Sequence, residues 1–186
     1  VTDGYNAGHG LPFDSDGMKE RYPGVFFSQF TGAELVAEKW NLSREDLDKF
    51  ALESHQKAAN ATESKYFDRE ILPVEGKNAE GINEMVMADE GIRFDASLDK
   101  LAGLNPVTEG GVITARNASQ ITDGAAAVMI CNDAGLKKIQ SNPRAEIVSI
   151  SVVGDDPVFM LTGPIPASHK ALEAANLSIE DIDLYE

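Results

Sequence analysis

A chain of 186 residues, 42% of them hydrophobic, is long enough to bury a core, and it suits one large domain or parts of two. Its formal charge of −15 would repel a phosphate backbone, so no nucleic-acid partner is expected. No apolar run approaches the roughly 18 residues of a membrane span, and the single cysteine, which cannot form an internal disulfide, fits a reducing compartment such as the cytoplasm.

The N-terminal third is predicted to hold a long loop and then two helices. Residues 1–30 are rich in Gly, Asp, Pro and aromatic residues without a sustained period, which predicts an extended loop anchored by residues 26–30. Capping-box patterns begin at Thr31 and at Ser43. In the second helix, one face is predicted to be core and consists of Leu47, Phe50, Ala51, Ser54, Ala58 and Ala61. The charged residues of that helix, such as Asp48, fall elsewhere on it.

Residues 70–131 are predicted to form a hairpin, a short helix and a loop that feeds a strand. Two short strands flank a Gly-Lys-Asn turn, and Ser97 caps a short helix. Residues 114–123 are small or polar, and an unbroken apolar run follows that is typical of a strand buried on both faces. Such small side chains let the backbone approach another group closely, with hydrogen-bonding groups offered by Asn117, Ser119 and Asp123.

Strands and helices alternate from residue 124 onward, which predicts an α/β sheet. The predicted elements are strands at 124–131, from 145 and at 181–186, and helices at 132–140 and 167–176. Chemistry in such sheets lies in the loops beyond the carboxyl ends of strands, and this chain stops on a strand. It also begins without a Met. Both ends therefore suggest a section of a longer protein.

Few residues offer chemistry on spacing alone. Cys131, at the end of an apolar strand, is expected to be packed rather than catalytic. His55 and His169 are expected to be solvated, His9 stays undecided, and no metal-binding spacing is present. Arg93 has two interpretations of about equal weight. It binds a phosphate, or it forms a surface ion pair with Asp89 or Glu90.

Five segments in order resemble the thiolase family of acyl-CoA acyltransferases. They lie at 42–58, 67–74, 89–107, 113–128 and 156–186. The resemblance implies an α/β fold of five αβαβα layers, built from two similar halves with an inserted loop domain. Residues 1–122 would form the loop domain, 123–143 the closing strand and helix of the first half, and 144–186 the start of the second half. It also implies a homodimer or homotetramer.

The same resemblance implies an activity. The family cleaves a 3-ketoacyl-CoA by thiolysis, or runs the reverse Claisen condensation, with a nucleophilic Cys that a His activates and a second Cys as acid and base. Coenzyme A is then a substrate, and no cofactor or metal is implied. Cys131 matches neither cysteine, so this section alone is expected to be inactive. The alternative is a non-catalytic, thiolase-like protein that binds acyl-CoA or lipid.

Binding residues also follow from the resemblance. Arg93 matches the Arg that holds the nucleotide end of CoA, Ala115 and Ser119 match residues along the pantetheine arm, and Met160 matches a Met near the acyl site. From residues alone Met160 is equally core filler or a flexible pocket wall.

Two departures from the family pattern stand out. Ser28 and Gln29 begin the "SQF" segment that replaces a His-Met-Gly segment of biosynthetic acetoacetyl-CoA thiolases, which favours a degradative enzyme of fatty-acid β-oxidation for longer or bulkier chains. Arg116 replaces the usual Gly. Either its backbone avoids positive φ, or an extra charge lies near the CoA tunnel.

Overall fold

The structure is a computed structural model that describes Gly8 and residues 13–78, 80–122 and 124–186, so His9 and Asp123 lie outside the described residues. The chain divides into two compact units. One consists of Val1–Val36 with Gly124–Glu186, and the other of Ala37–Asp123.

Six α-helices and one hairpin are formed by the described residues. The helices are α1 (Asp16–Arg21), α2 (Gln29–Lys39), α3 (Arg44–Glu63), α4 (Leu98–Ala102), α5 (Asp133–Ile139) and α6 (Pro164–Ala175), and a 3₁₀ turn covers Ile179–Asp181. The strands β1 (Val74–Lys77) and β2 (Asn83–Val86) pair antiparallel, with Val74 opposite Val86. The predicted hairpin is therefore confirmed, but the predicted turn position was wrong in part, because Gly76 and Lys77 of the Gly-Lys-Asn sequence belong to β1.

Helix starts were predicted well where a side chain caps the helix. Ser43 and Asp46 form a reciprocal capping box at the start of α3, and the Asp46 carboxylate accepts the Ser43 N–H at 2.9 Å. Ser97 caps α4 as predicted. The start at Thr31 was wrong. α2 begins at Gln29, because the Ser28 hydroxyl already accepts the N–H of Phe30 at 3.2 Å.

The buried face of α3 differs from the predicted one. Phe50 is 75% exposed and Ser54 is exposed, whereas Asp48 is only 3% exposed. The most buried side chain of α3 is thus a charged one and not one of the predicted apolar set. Asp48 can be buried because it is paired with Arg44. Apolar spacing could not identify this face, because a paired carboxylate takes the central place on it.

The predicted strands of the C-terminal part form no ladder among the described residues. Residues 124–131, 145–153 and 182–186 lack strand pairing, and a 3₁₀ turn precedes the last of them. Their apolar side chains are open to solvent, including Val128 at 85% and Val152 at 81%. Cys131 is exposed, so the expectation that it is packed was wrong. His169 is exposed as expected. None of the described helices has the length and apolarity that a membrane span needs.

We expect the 186-residue chain on its own to self-associate. The apolar segments 124–131 and 145–153 are largely exposed and lack strand pairing, and such segments are templates for pairing with another chain. Sedimentation velocity over a concentration series will show species larger than the monomer. Because a lysine on an unpaired strand opposes such pairing, Val152→Lys should reduce them. A monodisperse monomer at all concentrations would contradict the expectation.

Ser43→Ala should destabilise α3 by removing its N-cap, at a cost of about 1 kcal/mol in the free energy of unfolding. The hydroxyl and backbone N–H of Ser43 hold the pKa of Asp46 below its ordinary value. Stability from this carboxylate is therefore present above its unfolded pKa and is lost as pH falls through the folded pKa. Urea unfolding measures the cost, and carboxyl NMR titration should show the Asp46 pKa rising in the variant. Ser54→Ala, an exposed change within the same helix, serves as the control.

Candidate functional site

The six candidate site residues fall into the two units. Arg93, Ala115 and Ser119 belong to Ala37–Asp123, whereas Ser28, Gln29 and Met160 belong to the other unit.

The segment 112–120 buries some of its side chains and exposes others. Thr114 is fully buried, and its hydroxyl accepts the N–H groups of Arg116 and Asn117 at 3.3 Å each. Ala115 and Ser119, by contrast, are exposed. Because Thr114 faces inward, the turn presents a methyl group and a hydroxyl outward. A slim ligand with amide groups would fit such a surface.

Asn117 faces the interior of its unit and not the outer surface of the segment. Its side-chain oxygen accepts the Thr114 N–H at 2.7 Å, and its amide nitrogen donates to the Asp48 carboxylate and the Val112 carbonyl at 3.0 Å each. Both amide protons are thus used within the protein. Asn117 was expected among the groups offered to a neighbour, and that interpretation was wrong.

Asp48 and Arg44 form the ion pair that receives Asn117. The Arg44 Nε donates to Asp48 at 2.7 Å, and these residues are one turn apart in α3. The Nη2 of Arg44 donates to the carbonyls of Leu101 and Leu104, at 2.6 and 3.1 Å. These carbonyls lie at the C-terminal end of α4, where backbone acceptors lack helical partners. A continuous set of hydrogen bonds therefore joins α4, α3 and the segment 112–120.

The loop before α4 carries Arg93 and lies directly against the segment 112–120. The Gln120 side chain donates to the Gly91 carbonyl at 2.7 Å, while Asp89 accepts the Gly91 N–H at 2.8 Å. The backbone N–H of Arg93 donates to His55 Nδ1 at 3.3 Å. His55 is half-buried, so its prediction as a solvated residue was wrong. Arg93 and Ser119 thus lie on two loops that hydrogen-bond to each other.

The side chain of Arg93 is exposed, and no ion pair in the described part of the chain includes it. Asp89, one of the two acids proposed as its partner, is instead bonded to local backbone. The surface ion-pair interpretation therefore loses support. An exposed guanidinium beside a surface of small residues is suited to a phosphate group.

Arg116 does not need the conformational freedom of glycine. It is absent from the described non-glycine residues with positive φ, and its side chain is half-buried. The interpretation that the backbone avoids positive φ at the position where the family usually has Gly therefore holds for Arg116. Arg116 also lies near Asp95, whose pKa is held below its ordinary value mainly by Lys100 and to a smaller extent by Arg116. The carboxylate of Asp95 thus offsets part of the added charge.

In the other unit, Met160 is adjacent to the first turn of α2. A Cβ added at Gly32 would lie 2.4 Å from the Phe159 carbonyl oxygen and 3.7 Å from Met160 Cβ, so only glycine allows this approach. The Ser28 carbonyl accepts the Gly32 N–H at 2.9 Å, which fixes the turn that also begins with Gln29. Met160 has a φ of 56°. A non-glycine residue in the left-handed region is strained and is often found at a functional site.

Family models identify the chain. The thiolase N-terminal domain matches residues 14–134, and the thiolase C-terminal domain matches residues 141–186. The chain therefore belongs to the thiolase family.

Similar proteins carry thiolase names. The steroid 3-ketoacyl-CoA thiolase FadA6 of Mycobacterium tuberculosis is 48% identical over 166 residues, which are 89% of this chain and 39% of the relative. A 3-ketoacyl-CoA thiolase of Aliivibrio fischeri is 39% identical, covering 96% of this chain and 46% of the relative. The chain thus spans less than half the length of these curated relatives.

Solved structures agree on the fold. The Bacillus anthracis acetyl-CoA acetyltransferase superposes with a TM-score of 0.80 at 39% identity, covering 87% of this chain and 41% of that one. Human mitochondrial 3-ketoacyl-CoA thiolase gives a TM-score of 0.77 at 41% identity, with 83% and 39% covered. The predicted α/β thiolase-like fold is confirmed as a partial thiolase fold. The division at residues 122 and 143 stays a prediction.

Sequence reasoning missed Arg44, Asp48 and His55 as residues that support the site. One signal was available, because Arg44 and Asp48 have the i, i+4 spacing of an ion pair. Their burial, and their contacts with residues more than 35 positions away, depend on tertiary structure.

Proposed function

We propose that this chain is a section of a thiolase subunit that cleaves 3-ketoacyl-CoA by thiolysis or runs the reverse Claisen condensation. The observation that carries the proposal is the hydrogen bond between Gln120 and Gly91, which brings the loop of Arg93 against the segment of Ala115 and Ser119. A phosphate-binding cation and a narrow surface of small residues lie on neighbouring loops. CoA has a phosphorylated nucleotide at one end and a slim pantetheine arm at the other.

These residues have binding roles in the proposal. The Arg93 guanidinium contacts phosphate oxygens at the nucleotide end, Ala115 leaves room for the pantetheine arm, and the Ser119 hydroxyl hydrogen-bonds an amide of that arm. CoA is the substrate, and the chemistry uses no additional cofactor. The nucleophilic thiol would be supplied outside the residues of this chain, since Cys131 matches no catalytic position of the family.

Acyl-chain binding is proposed separately for residues of the other unit. Met160, strained and next to α2, and the pair Ser28 and Gln29 at the start of that helix are proposed to line the acyl pocket. The relative named as a steroid 3-ketoacyl-CoA thiolase supports a degradative enzyme for longer or bulkier acyl chains. We place the intact protein in fatty-acid or lipid β-oxidation.

Assembly and location complete the proposal. A homodimer or homotetramer in the cytoplasm is consistent with the single cysteine and with the exposed apolar segments of 124–131 and 145–153, which would need covering.

Steady-state kinetics on the full-length polypeptide that contains this chain test the proposal. Consumption of acetoacetyl-CoA and of a series of longer 3-ketoacyl-CoA esters should depend on added CoA, with higher kcat/KM for the longer esters. CoA binding without turnover would favour the non-catalytic alternative. Absence of both binding and turnover would exclude an acyl-CoA protein altogether.

A further inference from the structure

One face of α3 makes polar contacts with both loops of the candidate site. Arg44, Asp48 and His55 are four and seven residues apart, so they lie on the same side of the helix. Here they are called the polar face of α3. Asp48 is bonded to Asn117, and His55 accepts the N–H of Arg93. Each of the two loops is thus bonded to a different turn of one helix.

The helix fixes the separation of these two attachments. Seven residues of α-helix span about 10 Å, so the bonds to Asn117 and to the Arg93 backbone are held about that far apart along α3. A helix of 20 residues with a capping box at its start is a rigid element on which to mount two loops. The Gln120–Gly91 bond then joins the loops to each other.

Asn117 transmits this restraint to the ligand-facing residues. It is bonded to Thr114, and the same turn displays the exposed residues Ala115 and Ser119. With its two amide protons directed to Asp48 and Val112, Asn117 cannot rotate toward solvent without breaking three hydrogen bonds. The orientation of the exposed hydroxyl of Ser119 therefore depends on a residue that faces the interior.

We propose that the polar face of α3 is a positioning device for CoA, in which Asp48, through Asn117, aligns the pantetheine-binding segment and His55 aligns the nucleotide-binding Arg93. This inference rests on the proposed function, because it assigns the two loops to the two ends of CoA. Neither His55 nor Asn117 touches the substrate in this arrangement. Each acts through the residue that it holds.

The effects of His55 and Asn117 on CoA binding can be separated with a probe that corresponds to one half of CoA. The probe is 3′-phosphoadenosine 5′-diphosphate, the nucleotide half of CoA, used as a competitive inhibitor of the full-length protein. His55→Ala should raise KM for CoA and the inhibition constant of the probe by the same factor, about 2- to 12-fold for one neutral hydrogen bond. Asn117→Ala should raise KM for CoA while leaving the inhibition constant of the probe unchanged. In both variants kcat should be largely kept.

Conservative variants separate positioning from general destabilisation. His55→Asn keeps an acceptor near the Arg93 N–H and should recover most of the affinity lost in His55→Ala. Asn117→Asp places a carboxylate oxygen against both Asp48 and the Val112 carbonyl, so it should not recover the affinity that is lost in Asn117→Ala. Lys57→Ala, on the exposed side of the same helix, is the matched control, with no change expected in either constant.

The outcomes distinguish this inference from the proposed function. If the unmodified protein neither turns over CoA substrates nor binds the probe, the proposed function fails. If that protein is active but Asn117→Ala raises the inhibition constant of the probe as much as His55→Ala does, or if both variants lower only kcat and the melting temperature, the positioning roles are wrong. A loss of probe affinity in His55→Ala but not in Asn117→Ala, reversed in His55→Asn, supports them.

Discussion

Arg93→Ala should raise KM for CoA about 10- to 150-fold in the full-length protein, with kcat largely unchanged. The range corresponds to the loss of a charge-assisted hydrogen bond, about 1.5 to 3 kcal/mol. The guanidinium is exposed, so solvent screening places the effect toward the lower end. The nucleotide end of CoA is remote from the reacting carbon. Loss of the Arg93 contact therefore removes binding energy that is equal in the ground state and the transition state.

Two variants calibrate the Arg93 result. Arg93→Lys keeps a positive charge but loses the planar fork of donors, so an intermediate KM is expected. Ser119→Ala removes one neutral hydrogen bond and should change KM by only about 2- to 12-fold. Kinetics with varied CoA at low and high salt measure all three. An unchanged KM in Arg93→Ala at both salt concentrations would return Arg93 to an ordinary surface residue.

Asp48→Ala should destabilise the protein by about 3 kcal/mol, the larger of the two expected effects on stability. Removing one partner of a buried ion pair leaves the other charge uncompensated, at a typical cost of about 3 to 5 kcal/mol. The side chain of Asp48 is 5% exposed but that of Arg44 is 24% exposed, so water can partly solvate the orphaned guanidinium and the lower figure applies. Asn117 also loses an acceptor.

Urea unfolding of the full-length protein measures this cost as a shift of the midpoint at constant slope. Glu45→Ala is the matched control. It also breaks an i, i+4 ion pair of α3, with Lys49, but both side chains are more than half exposed. Such a pair contributes at most about 0.5 kcal/mol. Equal midpoints for the Asp48 and Glu45 variants would show that the buried network does not stabilise the fold.

Local capping chemistry was predictable from sequence because it involves residues three positions apart. Ser43 and Ser97 identified two helix starts correctly, and the hairpin was predicted correctly apart from Gly76 and Lys77, which lie in β1 and not in the turn. Thr31 failed as a helix start because the competing hydroxyl of Ser28 lies three residues earlier. α1, six residues long and capped by Ser15, was missed within a region predicted to be an extended loop.

The candidate site residues were predicted from the order of the segments that resemble the family. The contacts around these residues could not be predicted from that order. Nothing in the spacing of Asn117 indicates that its amide is used by Asp48, 69 positions away. His55 was judged from its charged neighbours on the helix, yet its partner is the backbone of a distant loop. Cys131 was judged from the apolar run that it ends, although the residues of that run are themselves exposed.

The sequence by itself determined the family, the capped helices, the hairpin and the order of the candidate binding segments, because each depends on residue identity at short, fixed spacing. Tertiary structure alone decided which face of α3 is buried, which way Asn117 turns, and that the Arg93 loop lies against the segment with Ser119. These features depend on contacts between residues far apart in the chain. A carboxylate such as Asp48 is buried only where a distant partner satisfies it, and sequence periodicity does not identify that partner.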